Sequence, residues 1–246
     1  GPMKLQTPFR LIVAGGSGSG KSVFVQNLIE KSFFDKPFEN IVYCYPDYLD
    51  DVPIEFNQPV ECIPGIPDLH YLGSLPKQTL IILDDLMMEC SKNSVIGKLF
   101  SVIARKRQIS VILIVQNVYP QGSQFRNIRL NASAFALFKF NAGFDVNHRL
   151  LRDLGLRSKI SRQQMDDLYS GKFKFLFIEL HPERWSDYGT LRSNIFDQYP
   201  TIYYGSTYFA ISRGEFESNY RTKYSKNGRL KAYKLDTKIL SSDYDS

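Results

Sequence analysis

The chain has 246 residues, 43% hydrophobic and 23% charged, and its 31 Lys and Arg against 25 Asp and Glu give a net charge of +6. That length gives one or two domains at roughly 150 residues each, and with only 12 Pro and 16 Gly the composition excludes a disordered or collagen-like chain; the charge permits a polyanionic partner without demanding one. No apolar run approaches the roughly 20 residues of a membrane span, Lys4 before a strand-like run is not a signal peptide, and Cys44, Cys62 and Cys90, which share no metal-ligand spacing, suit a reducing, intracellular compartment.

Gly1-Pro2 ahead of Met3 reads as a protease-cleavage scar. Phe9–Ala14 is a short apolar run ending in glycines, and Ser22–Phe33 follows with Val25, Leu28, Ile29 and Phe33 on one helical face. Ile41–Tyr45 is a second strand. Pro46 to Gln78 holds six of the twelve prolines and no period, which predicts a long irregular connection with one extended piece around Val60–Ile63. Leu80–Leu83 is a third strand, stopped by two acids. Ile96, Leu99, Phe100 and Ile103 fall at helical spacing and predict a helix from about Asn93 to Arg107. Ile109–Val115 is almost wholly apolar, as a strand buried on both faces must be, and Ala134–Phe140 is a fifth strand. Val146–Leu154 reads as a helix. Ser161–Gln164 fits a capping box before Met165, Leu168 and Tyr169, with Gly171 as a stop, and Lys174–Leu180 is a strand. Strands alternating with helices predict a mostly parallel sheet with helices on both faces. The expected organisation is a core over residues 3–212 that includes a C-terminal extension of the sheet, and a basic, tyrosine-rich tail over 213–246. The scattered histidines, His70, His148 and His181, read as surface or packing residues.

Gly15-Gly16-Ser17-Gly18-Ser19-Gly20-Lys21-Ser22 satisfies G-x-x-x-x-G-K-[ST] without a mismatch. Glycines let the backbone curl so that successive N–H groups face a polyphosphate, and the helix beginning near Gly20 adds the positive end of its dipole. Gly15 to Val23 are therefore the nucleotide-binding residues, with Lys21 reaching the β- and γ-phosphates and the Ser22 hydroxyl available to Mg²⁺. The competing explanation, a glycine-rich turn with a chance lysine, does not account for the strand before it and the amphipathic helix after it.

Thr79–Asp85 (TLIILDD) is an apolar strand ending in two acids. It puts a carboxylate at the carboxyl edge of the sheet, where Asp84 would hold the metal and Asp85 would orient or deprotonate the attacking water. Gln116 closes the Ile109–Val115 strand. If that strand lies between the other two, Gln116 can sense the γ-phosphate or hold the water, with Asn117 sharing the task; the bland alternatives are a solvated acidic turn and an ordinary polar strand end. No Asn-Lys-x-Asp guanine signature is present, and the three parts together predict an α/β fold of the RecA-like P-loop NTPase type, with an additional strand and a catalytic carboxylate. Arg105 and Arg107 close a helix, and Arg126 and Arg129 lie in the loop after Gln116. One of them could be an arginine finger supplied to a neighbouring subunit, a group worth roughly 10³–10⁵ in rate. Arg105–Arg107 equally fit a helix end whose basic residues complement the dipole.

The strings IILDDLM, ARKRQISVILIVQN and RNIRLNASAFALFKF resemble the FtsK–HerA superfamily of DNA-pumping ATPases, and most closely the genome-packaging ATPases of double-stranded DNA viruses and Maverick/Polinton elements. The resemblance covers about Phe9 to Phe140. It implies ATP and Mg²⁺ as cofactors, Lys21 and Ser22 as the Walker A pair, Asp84 and Asp85 as the Walker B pair, Gln116 as sensor, and an arginine of the 105–107 or 126–129 segments as finger. Many ATPases of this broad class carry Glu where this chain has Asp85. The implied partners are double-stranded DNA, further copies of the chain in a pentameric or hexameric ring, and a capsid protein, within the host cytoplasm or nucleus and in association with the virion. Asn219–Lys234, with six basic residues, no acids and three tyrosines, is either a DNA-contacting or docking arm or a solvated tail. A monomeric P-loop kinase, a cellular translocase or helicase, and a scaffold that uses ATP only for assembly are the competing readings; intact Lys21, Asp84 and Asp85 argue against the last.

Overall fold

The computed structural model describes residues 4–86, 93–120, 124–180, 189–198 and 200–205, together with the backbone of 208–210. The tail over 213–246, its Asn219–Lys234 segment included, lies outside the described residues. The strands are β1 (Arg10–Ala14), β2 (Asn40–Tyr45), β3 (Glu61–Pro64), β4 (Thr79–Asp84), β5 (Ser110–Val115), β6 (Ala134–Phe138), β7 (Phe175–Glu179), β8 (Leu191–Ser193), β9 (Thr201–Tyr203) and β10 (Tyr208–Ala210). Among the described residues these ten form one sheet in the order β10-β9-β8-β7-β6-β1-β5-β4-β2-β3. From β3 to β6 every pairing is parallel. From β6 onward every pairing is antiparallel, so the sheet is parallel over the first part of the chain and extends as a meander over the last.

All six residues of β4 and all six of β5 are buried, as the apolar runs Leu80–Leu83 and Val111–Val115 require in central parallel strands; Thr79, Asp84 and Ser110 are the buried polar residues at their ends. Alternate side chains still go to opposite faces. Leu11 and Val13 join one core with Phe24, Val25, Leu28 and Ile29 of α1 (Lys21–Glu30), whereas Ile12 and Ala14 join the other. That second core takes the remaining helices, α2 (Leu69–Ser74), α3 (Asn93–Lys98), α4 (Ala104–Arg107), α5 (Gln124–Asn131), α6 (Asp145–Asp153) and α7 (Arg162–Leu168). Helices cover both faces as expected, but α1 is the one long helix on its side among the described residues. Its four buried apolar side chains contribute roughly 1.5–3 kcal/mol each, enough to fix the helix that carries Lys21.

Several expected boundaries shift. The helix after the glycine loop ends at Glu30, with Lys31 as its C-cap; Phe33 is buried as expected, at 2% exposure, but from the turn that follows. The Pro46–Gln78 stretch contains the expected extended piece as β3, and also α2, which its sequence does not announce; Asp68 caps α2 by accepting from the Tyr71 N–H. The helix over 93–107 is present but changes pitch, with a π-helical segment Leu99–Ile103 between α3 and α4. The loop expected around Arg126 and Arg129 is helix α5. The capping box at Ser161 and Gln164 forms in both directions.

Candidate phosphate and nucleotide site

β5 lies between β1 and β4. Because the three strands are parallel, their carboxyl ends share one edge, and the loop after β1, the acids ending β4 and Gln116 after β5 meet there. Ser17 to Val23, Asp84, Asp85, Gln116 and Phe173 line one cavity of about 350 Å³. The register is direct: Asp84 pairs with Ile114 and Ala14 with Val115.

Gly15 and Gly16 sit behind this wall and anchor the loop. The Gly15 N–H donates to the Val115 carbonyl and the Gly16 N–H to the Lys139 carbonyl, at 3.4 and 3.0 Å. A Cβ on Gly15 would meet Phe138 Cβ at 2.5 Å, so close packing of loop on strand demands glycine there. Gly20, at φ 110°, enters α1 with no side-chain cap, leaving the first N–H groups of the helix for an anion. Lys21 Nζ donates to the Gly15 and Gly16 carbonyls at 2.5 and 2.9 Å, which arches the side chain back over the loop.

The electrostatics are those of a charged site partly removed from water. Burial lowers the Lys21 pKa, and Asp85 and Asp84 pull it back up. Burial raises Asp85 above the usual carboxylate range against the pull of Lys21. It raises Asp84 as well, where the Tyr43 hydroxyl and Lys21 oppose the rise and Asp85 adds to it. One lysine and two acids thus share a single partly dry pocket, each acting on the others' charge.

Tyr43 is a residue that sequence reasoning missed. From β2 its hydroxyl donates to Asp84 Oδ2 at 2.5 Å, and the ring is fully buried. It holds one carboxylate oxygen and leaves the other for a ligand. A tyrosine inside a strand of apolar residues carries no signal of this role, because the contact exists only once β2 and β4 are paired. Asp85 has φ 53°, and its N–H donates to the Ile114 carbonyl at 3.0 Å. Aspartate and asparagine tolerate this left-handed backbone better than most residues, a physical reason for an aspartate at this position.

Asn117 Oδ1 accepts from the Tyr119 N–H at 2.8 Å and closes the turn after Gln116. Arg129 donates to the Val118 carbonyl at 2.7 Å and stacks on the Tyr119 ring at 4.2 Å. Arg149 stacks on the same ring at 3.8 Å, and the Tyr119 hydroxyl donates to Asp153 at 2.5 Å. The turn bearing Gln116 is therefore pinned from three sides. The structure does not bring Arg105 and Arg107 to the phosphate cavity of their own chain. They lie at the amino edge of the sheet, where Arg105 acts on Arg10 at the start of β1 and Arg107 donates to the Leu75 carbonyl at 3.2 and 3.0 Å. Arg126 is exposed on α5.

Among the described residues no group of three or more His, Cys, Asp or Glu is placed to cage a metal. Mg²⁺ needs no such cage when phosphate oxygens and waters complete its shell, and the Ser22 hydroxyl with the Asp84 carboxylate supplies the hard oxygen donors it prefers. No helix among the described residues is long and apolar enough to cross a membrane.

No family model and no curated sequence matches the chain. Among solved structures, the genome packaging NTPase B204 from Sulfolobus turreted icosahedral virus 2 in complex with sulfate is similar at a TM-score of 0.49 and 12% identity, over 73% of this chain and 95% of that one. The same protein in complex with ATP-gammaS gives 0.47 and 12% over 70% and 93%. A third solved structure, an ATPase domain, gives 0.33 and 13% over 53% and 69%. The fold assignment rests on the sheet order and on the loop at the end of β1.

Proposed function

We propose that the chain is an Mg²⁺-dependent ATPase that drives movement of double-stranded DNA, in the manner of a viral genome-packaging motor. The observation that carries the hydrolytic part is the convergence of the Lys21 loop, Asp84, Asp85 and Gln116 on one cavity, with β5 between β1 and β4. Lys21 neutralises phosphate charge, and Ser22 and Asp84 would hold the metal, which supplies Lewis-acid stabilisation of the phosphates when bound. Asp85 accepts the proton of the attacking water, and its raised pKa brings it closer to the value a base needs at neutral pH. Gln116 orients that water from a turn that Arg129 and Asn117 hold still.

The DNA-moving part is supported by the resemblance of the segments from Asp84 to Phe140 to DNA-pumping ATPases. On this reading the motor is a ring of five or six copies, and one of Arg105, Arg107, Arg126 and Arg129 completes a neighbour's site. Arg126 and Arg105 suit a finger better than Arg129 and Arg107, whose guanidinium groups already bind carbonyls of their own chain. The capsid protein is the partner such a ring docks on, and the 213–246 tail is a separate basic segment that contacts DNA phosphates or that partner. The work takes place inside the host cell, with the motor associated with the assembling virion.

Steady-state ATP hydrolysis across protein concentrations, with and without duplex DNA at low and moderate salt, tests the reading. The expected result is turnover per chain that rises with protein concentration and with DNA, the DNA effect weakening with salt. Turnover per chain independent of both would exclude an assembling DNA motor and favour a monomeric nucleotide enzyme.

A further inference from the structure

Beside the phosphate cavity lies a second one, of about 630 Å³. The two share Ser17, Gly18, Ser19 and Phe173 and form the two ends of one trough across the glycine loop. The first end holds Asp84, Asp85 and Gln116, on the β4–β5 side of β1. The second is walled by the segment after β6 and the segment before β7, on the other side of β1. A triphosphate whose terminal phosphate meets the acids and Gln116 sends its sugar and base the opposite way, into the second cavity.

Phe173 stands at the junction. It is 63% exposed, a large apolar ring left in solvent beside a polar loop. Its backbone has φ 59°, a conformation that bulky residues rarely adopt. Its ring abuts Gly20, where an added Cβ would come within 3.0 Å of Phe173 Cδ1. An exposed aromatic face beside the glycine loop offers a surface on which a base can stack.

The polar groups around it are poor readers of a base edge. The Tyr169 hydroxyl donates to the Leu137 carbonyl at 2.6 Å and accepts from Asn147 at 3.1 Å. The Ser170 hydroxyl donates to the Asp167 carbonyl at 2.7 Å. The Asn141 amide oxygen faces Gly16, 3.0 Å from where a Cβ would sit. Lys139, Lys172 and Lys174 are donors on flexible stems, suited to phosphate and sugar oxygens.

We propose that Phe173 holds the nucleobase by its face, and that this site accepts nucleoside triphosphates as a class instead of selecting adenine. Every base has a π-face, so stacking tolerates any of them, whereas selection needs fixed donors and acceptors at the base edge. The inference rests on the phosphate-site reading above and extends it to the other end of the trough.

Calorimetric titration of the full chain with non-hydrolysable ATP, GTP and CTP analogues, and with inorganic tripolyphosphate, tests it. The expected result is ATP and GTP affinities within about tenfold of each other, because faces and not edges are held. Phe173→Ala and Phe173→Leu should weaken all three nucleotides together by about 5- to 100-fold, while Phe173→Trp retains affinity and no variant changes tripolyphosphate binding. Leucine still fills the space against Gly20, so a Leu variant that binds like wild type overturns the stacking role. So does a Phe173→Ala loss shared equally by tripolyphosphate, which would make the ring a prop for the loop. Wild-type ATP preference over GTP beyond about a hundredfold overturns the class assignment. Lys21→Ala separates the two readings: loss of nucleotide and tripolyphosphate together supports the phosphate site, and retention of both would sink that site before Phe173 is in question.

Discussion

The two halves of the sheet use polar residues in opposite ways. In the parallel half, from β3 to β6, the middles of the central strands β4 and β5 are apolar, with Thr79 and Ser110 buried at their starts, and Lys21, Asp84, Asp85 and Gln116 collect at one edge. In the antiparallel half, Arg192 and Glu179 pair inside the sheet at 1% and 5% exposure, with the Arg192 guanidinium over the Phe177 ring at 5.3 Å. Parallel strands all end on the same edge, so their loops can assemble a site; a meander sends successive loops to opposite edges, and here, among the described residues, only the segment before β7 reaches the phosphate cavity, through Phe173. The meander's buried ion pair joins β7 to β8, and the cost of taking both charges out of water offsets much of their attraction.

The sharpest way to break this contrast is Asp85→Asn, which should cut turnover by about 10²–10⁴ with nucleotide binding kept. The folded pKa of Asp85 lies above the usual value. The folded chain therefore binds that proton more tightly than the unfolded one, and the charge opposes folding at pH values above the folded pKa. The Asn variant should melt no lower than wild type at pH 7, a difference that closes as pH falls through the carboxylate range. Asn also accepts the backbone at φ 53°. A variant that melts several degrees lower would mean that Asp85 has a structural duty.

Arg192→Ala should do the reverse. It leaves Glu179 buried, costs about 3–5 kcal/mol, and should lower the melting temperature by roughly 10 °C with the affinity of the folded fraction for nucleotide unchanged. A weakened nucleotide site in that variant would show that the meander supports the chemistry.

Tyr43→Phe is smaller. It removes the hydroxyl that holds the Asp84 pKa down, so that pKa should rise further and the acid limb of the pH–rate profile should move to higher pH. Turnover at neutral pH should fall less than about tenfold. An acid limb that stays put would remove Asp84 as the titrating group. Arg107→Ala is the smallest if the residue only ties α4 to Leu75, a loss of about 1 kcal/mol in stability. A fall in turnover near 10³-fold, seen at every protein concentration, would instead identify it as the finger.

Much of the site was legible because its motifs are local. The glycine loop followed by Lys21 and Ser22, the apolar strand ending in Asp84, and the strand ending before Gln116 all carry their pattern within a few residues, and the cavity brings them together. Tyr43 and Phe173 were not legible. One acts across a strand pairing and the other from a loop more than 150 positions after Lys21, so neither has a neighbour in sequence that marks its task. α2 and α5 were missed because each is short: six and eight residues give too few turns for a periodic signal.

Local patterns were enough to place the glycine loop after β1, most of the strand-and-helix alternation of the first 140 residues, and the capping box that starts α7, because each follows from local backbone geometry and side-chain period. The tertiary structure alone decided that β5 separates β1 from β4, that the last four strands turn antiparallel, and that Arg105 and Arg107 sit at the edge opposite their own phosphate cavity. Those outcomes depend on which strands pair and which edge their ends share, and pairing is a long-range choice that no short window of residues contains.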